Sequence, residues 1–135
     1  MHIDDDNGLS DLVVPDSEKL IASGFRFTEG PIWVPDGSFL LFSDIPTNQI
    51  HRWTPGSSSA VVFREPSHHS NGLTLDPAGR LIACEHSARS VTRAALPDDD
   101  IEIIAASAGG KRFNSPNDVV VHSTGAIFFP IRPMD

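Results

Sequence analysis

Asn71-Gly-Leu-Thr-Leu-Asp-Pro-Ala-Gly79 opens on a side-chain oxygen donor, crosses a short apolar stretch and reaches glycine eight positions later. The same frame recurs without gaps at Glu29-Gly-Pro-Ile-Trp-Val-Pro-Asp-Gly37 and at Asn117-Asp-Val-Val-Val-His-Ser-Thr-Gly125. Glycine makes up about 7% of average sequences, so its return at one offset in all three points to an internal repeat.

The segments after each glycine repeat as well. A second apolar run comes next: Phe39 to Phe42, Leu81 to Cys84, Ile127 to Phe129. A third strand candidate is Ile50 to Trp53 and then Val91 to Arg93; a fourth is Ala60 to Phe63 and then Ile101 to Ile104. These runs are short, rich in β-branched and aromatic residues, and bounded by Pro, Gly, Asp and Ser, which is strand-and-turn chemistry. Apolar spacing of 3.6 never persists long enough for a long helix. Four strands per unit and a period of a little over forty residues read as blades of an all-β propeller. The Trp-Asp and Gly-His marks of one propeller class are absent. The expected organisation is an N-terminal extension over 1–18 and a partial propeller over 19–129, with blades at about 29–66, 71–108 and 117–129. An atypical end occupies 130–135. That is about two and a half to three four-stranded blades of an incomplete ring. Lys19 to Ala22 is expected to be an outer strand that pairs with a last blade.

Blade geometry locates the function. The first strand of each blade lies innermost, so equivalent positions in successive blades sit at one height around the central channel. Glu29, Asn71 and Asn117 are each expected to precede such a strand and to ring one mouth. One carboxylate and two amides make a hard-oxygen set, which suits Ca²⁺ or Mg²⁺ better than soft metals.

The chain has 135 residues, a hydrophobic fraction of 39%, a mean hydropathy of -0.12 and a formal net charge of -8. These values describe a globular protein without the basic face of a nucleic-acid binder. No apolar run approaches the roughly 20 residues that span a bilayer, so no membrane partner is expected. The acidic start lacks the features of a secretory signal, and the expected location is cytoplasmic. Cys84 is the one cysteine, expected as a small buried hydrophobe. Asp98 to Asp100 reads as a solvated turn. His68 and His69, adjacent on a strand, would point to opposite faces and serve as rim histidines. Trp33 and Trp53 are expected to pack between blades.

The motifs resemble a known family. Phe25-Arg-Phe-Thr-Glu-Gly-Pro-Ile-Trp33 is similar to the first signature of the SMP-30/gluconolactonase/LRE-like family. Ser70-Asn-Gly-Leu with Ala83-Cys-Glu-His86 resembles its second blade, and Gly110-Lys-Arg-Phe-Asn-Ser-Pro-Asn-Asp118 its central motif. The resemblance implies a six-bladed propeller that hydrolyses a sugar lactone such as glucono-1,5-lactone, a carboxylic ester hydrolase of the gluconolactonase type. It implies one divalent cation, most often Ca²⁺, with Zn²⁺, Mg²⁺ or Mn²⁺ in other members. Carried over by position, Glu29 and Asn117 are metal residues, and Asn71, His86 and Asp118 substrate-binding residues; Asp118 could instead brace the loop that presents Asn117. The family continues past its phenylalanines with Thr-Asp-Pro-Pro and about three more blades, whereas here the chain reads Phe128-Phe-Pro-Ile-Arg-Pro-Met-Asp135. Further metal ligands and the general base are therefore expected in the absent half. Weak cation binding, impaired turnover and self-association through exposed blade faces are further expectations. A propeller acting on other esters or organophosphates, and a non-catalytic propeller used for binding or assembly, are the alternatives.

Overall fold

Strand-forming runs separated by short turns pair with their sequence neighbours, because connections of two to seven residues leave antiparallel pairing as the nearest way to satisfy the backbone. In the computed structural model, which describes residues 7–97 and 99–132, this produces two antiparallel four-stranded meanders. The first is β1 (Thr28–Val34), β2 (Phe39–Asp44), β3 (Gln49–Trp53) and β4 (Val61–Arg64), in that spatial order. The second is β5 (Ser70–Leu75), β6 (Leu81–Glu85), β7 (Ser90–Ala95) and β8 (Asp99–Ala105), again in order. A small hairpin, β9 (Ser107–Ala108) with β10 (Lys111–Arg112), leads to another, β11 (Val120–Val121) with β12 (Ile127–Phe128). These are two complete propeller blades and the opening hairpin of a third. A 3-10 turn spans Leu9–Asp11, and the described residues contain no α-helix. No helix among them is long and apolar enough to cross a membrane. Residues 1–6 of the expected extension, Asp98 of the acidic turn and residues 133–135 of the expected C-terminal end lie outside the described residues.

Strand alternation explains how the blades stack. β6 is buried at every position. Its Leu81 and Ala83 join Leu41, Ile50 and Leu73 in a core between the first two blades. Its Ile82 and Cys84 point the other way, into a core with Val91 and Val119, against which Val121, Ile127 and Phe129 pack. Successive strand residues face opposite sides of a sheet, so a strand covered on both sides reads as an unbroken apolar run.

The innermost strands approach more closely than side chains permit. A Cβ on Gly30 would lie 2.2 Å from the Asn71 carbonyl oxygen. One on Gly72 would lie 2.6 Å from the Asp118 Cα and 2.9 Å from the Asn117 carbonyl oxygen. Gly72 N–H donates to that Asn117 oxygen at 2.9 Å. The buried Ser43 hydroxyl donates to the Asn71 carbonyl at 2.8 Å and lies 2.9 Å from Ser70 Oγ. Both β1 and β5 carry a register shift at this place, between Glu29 and Ile32 and between Ser70 and Leu73.

Several expectations change. Glu29 and Asn71 do not precede their strands; each is the second residue of one, at the bulge, and only Asn117 lies ahead of its strand. Residues 19–22 form no strand among the described residues, which do not include the last blade they are expected to pair with. Trp33, 43% exposed, and Trp53, whose indole N–H donates to Ser57 O at 2.9 Å, lie opposite Leu40 on the face of the first blade turned away from the second, so neither meets the second blade. His68 and His69 belong to the crossover from β4 to β5, both with left-handed backbone (φ 53° and 52°), so the strand rule for their directions does not apply.

Gly72 has no positive φ, so the Gly72→Ala substitution tests the close approach alone. It is expected to lower stability by about 1–3 kcal/mol, as overpacking does, read as a reduced urea midpoint. An unchanged midpoint would show that the blades do not need this contact.

Candidate functional site

The bulges and the glycine contacts bring the repeated donors together. Glu29, Asn71, Asn117 and Asp118 line one cavity of about 400 Å³, with Gly30, Pro31 and Thr74 among its other walls. Asn71 is buried, and its Nδ2 donates to Asn117 Oδ1 at 2.8 Å. This bond joins equivalent positions of two adjacent blades and fixes both amide planes. A carboxamide oxygen has two acceptor sites. Asn117 Oδ1 thus has a second acceptor site beyond this bond, and the Asn71 oxygen is not part of it. Glu29 is exposed in this cavity and also borders a second one, of about 270 Å³, walled by Ile21, Ala22, Phe25, Leu40 and Phe42.

Asp118 has a local task. Its Oδ1 accepts the Val119 N–H at 2.8 Å, and its carbonyl accepts the Cys84 thiol at 3.3 Å. Burial, aided by the Asp118 charge, pushes the Cys84 thiol up to about 12. Cys84 therefore stays protonated and serves as a donor beneath the loop that carries Asn117. His86 follows β6 at the same end of its blade, since Ser70 pairs with Glu85. It is half-buried, its Nε2 has no hydrogen-bond partner among the described residues, and it does not line the cavity.

Sequence reasoning missed Ser43 and Asp44, which directly follow the apolar run Phe39 to Phe42. Asp44 is fully buried, and its carboxylate accepts the Arg26 N–H at 3.1 Å and the Phe27 N–H at 3.0 Å. It thereby latches the segment that enters β1 just before Glu29. The available signal was an acidic residue closing a strand of otherwise apolar type. Burial alone would raise the Asp44 carboxyl, but hydrogen bonds from Phe27, Arg26 and Thr47, with the nearby His51, hold it below the usual carboxylate range.

As chemistry for a cation, Glu29 and the two amides are hard oxygen donors of the right type. They are few: among the described residues no group of three or more His, Cys, Asp or Glu could hold a metal ion.

A stack of four-stranded blades with oxygen donors at one mouth defines this chain as a β-propeller with a polar channel-end site. Residues 27–135 match the model of the SMP-30/Gluconolactonase/LRE-like region, and the chain belongs to that family. It is 34% identical over 128 residues to a gluconolactonase of Zymomonas mobilis, covering 85% of this chain and 36% of the relative. It is 29% identical to a pentonolactonase of Haloferax volcanii, over 87% of this chain and 38% of the relative. Among solved structures, a gluconolactonase from Xanthomonas campestris superposes with a TM-score of 0.72 at 32% identity, covering 78% of this chain and 35% of that one. The chain thus spans little more than a third of the length of these relatives.

The Asp44 latch has a pH signature. A carboxyl depressed in the folded state contributes stability above its unfolded pKa, and that contribution is lost as pH falls through the folded value. The urea midpoint is expected to drop as pH falls below about 4, and less steeply in Asp44→Asn. Asp76, held low mainly by Arg80 and Ala78 hydrogen bonds against the opposing effect of burial, shares the direction and keeps a residual slope. Identical slopes in the two proteins would remove Asp44 from this role.

Proposed function

We propose that this chain is part of a lactonase that hydrolyses a sugar lactone, gluconolactone-like in its substrate, at the mouth formed by Glu29, Asn71 and Asn117. The observation that carries the reading is the direct Asn71–Asn117 bond inside a cavity that also holds Glu29 and Asp118. The similarity to a gluconolactonase and to a pentonolactonase supports a sugar lactone as the substrate class. Glu29 would hold a divalent cation, Ca²⁺ in the first instance, through its carboxylate, with Asn117 adding a neutral carbonyl oxygen. Such an ion, when bound, polarises a lactone carbonyl and lowers the pKa of water. The amides have a second task. Asn71 and Asn117, fixed against each other, present oriented acceptors and an N–H to the ring hydroxyls of a sugar, and so set which carbon faces Glu29. Asp118 keeps Asn117 in place by bracing its loop from behind. His86 is assigned to the outer part of the same end, where it would meet a larger substrate.

Calcium takes about six to eight oxygens, more than Glu29 and two amides supply, so the chain by itself is proposed to bind Ca²⁺ weakly and to turn over slowly. Calorimetric titration with Ca²⁺ should give a dissociation constant in the millimolar range, and Glu29→Gln should abolish the heat. Proton release from glucono-1,5-lactone should be slow and sensitive to chelation. Tight Ca²⁺ binding unaffected by Glu29→Gln would end the metal assignment, and brisk lactone turnover in a chelator would end the mechanism.

The same reading includes self-association through open blade faces. Val120 and Phe128 are each 62% exposed on the third-blade hairpin. Sedimentation velocity should show dimers or larger species that Phe128→Ser shifts toward monomer; a monomer at all concentrations would remove this part.

A further inference from the structure

Glu85 is an anomaly in β6. It is a carboxylate in a strand buried on both faces, itself 2% exposed. Burying a charge is costly unless it is paired and hydrogen-bonded. Both of its oxygens are engaged: Oε1 accepts the Thr92 hydroxyl at 3.0 Å, and Oε2 lies 2.8 Å from His68 Nδ1. The His68 side chain is 54% exposed, and no hydrogen bond among the described residues engages its Nε2. A carboxylate only accepts, so Nδ1 carries a proton, and in the neutral ring the lone pair is on Nε2.

His122 provides an internal contrast. Its Nδ1 receives the Thr124 N–H at 3.2 Å and lies 2.9 Å from the Thr124 hydroxyl. A backbone N–H can only donate, so His122 Nδ1 is the acceptor and its proton sits on Nε2. Two exposed histidines of one chain are thus set in opposite tautomers, and only His68 presents a base at its outer nitrogen.

The position of His68 is fixed from both blades. Its carbonyl accepts the Ser87 N–H at 3.1 Å, and the next residue's N–H donates to Asn48 Oδ1 at 2.8 Å. Ser70 pairs with Glu85, which puts the dyad at the same end of the second blade as Asn71. A rotamer held by a buried partner on a braced backbone is a preorganised group rather than a drifting surface side chain.

We propose that Glu85 and His68 form a proton-accepting dyad at the mouth of the propeller, with His68 Nε2 the general base for ester hydrolysis and Glu85 its positioning residue. In the step, Nε2 takes a proton from water as the water oxygen bonds to the ester carbonyl carbon. The carbon–oxygen bond to the leaving alcohol then breaks, the alkoxide leaves with the electron pair, and the imidazolium returns its proton. Service to a sugar lactone at the same mouth rests on the lactonase reading; the base itself does not.

The test uses the full chain, EDTA and p-nitrophenyl acetate, an activated ester that needs no metal. His68→Asn, whose asparagine tolerates the left-handed backbone, is expected to lower the rate by at least about tenfold, well within what a positioned base supplies. His122→Asn is expected to stay within about twofold of wild type on the same grounds of an engaged Nδ1 acceptor. Long-range ¹H–¹⁵N correlation should show His68 protonated at Nδ1 and His122 at Nε2, and Glu85→Gln should weaken the His68 preference. Equal rates in wild type and His68→Asn, or a His68 ring protonated at Nε2, would overturn the proposal. Ester hydrolysis that persists in EDTA while Ca²⁺-dependent lactone turnover is absent would uphold the dyad and fail the lactonase reading alone.

Discussion

The close passage of one innermost strand over the next governs this structure. Backbone meets backbone there, Gly30 against Asn71 and Gly72 against Asn117 and Asp118, at separations that leave no room for a Cβ. Interiors are close-packed and transmit such contacts rigidly. The distance between blades near the axis is therefore set by peptide groups, while farther out it is set by Leu41, Leu73, Leu81 and Ile82.

The polar mouth is a consequence of that passage. Each glycine directly succeeds a site residue, Glu29 or Asn71, so the contact that joins the blades also sets the height of the donors. The Asn71–Asn117 bond then closes between adjacent blades. Asp44 acts one step earlier, holding the chain as it enters β1, and Cys84 acts from below on the loop before β11. Packing and the polar cavity are not separable at this end of the molecule: the groups that hold the inner strands in register are neighbours of the groups that line the cavity.

The dyad at Glu85 and His68 obeys a different logic. It lies on the crossover between blades, where turns and side-chain bonds from both sides fix the backbone, and it draws its base from a histidine that a strand-based reading sends to the rim. Its signal in the sequence was a lone glutamate ending an otherwise apolar run, the same pattern that marks Asp44 in β2. Acidic residues closing buried strands here hold something in place, a backbone segment in one blade and an imidazole in the next.

By itself the sequence determined the repeat, the strands within it and three of the donors that meet, because short apolar runs, turn residues and a fixed offset to glycine are local properties. Glu29, Asn71 and Asn117 were legible because a repeat puts equivalent residues at equivalent places. Only the tertiary structure decided that Glu29 and Asn71 sit within bulged strands and that His86 stands apart from the cavity. It alone decided which nitrogen of His68 faces Glu85. Those outcomes depend on which groups from distant parts of the chain come within hydrogen-bonding reach, and spacing along a sequence carries no record of that distance.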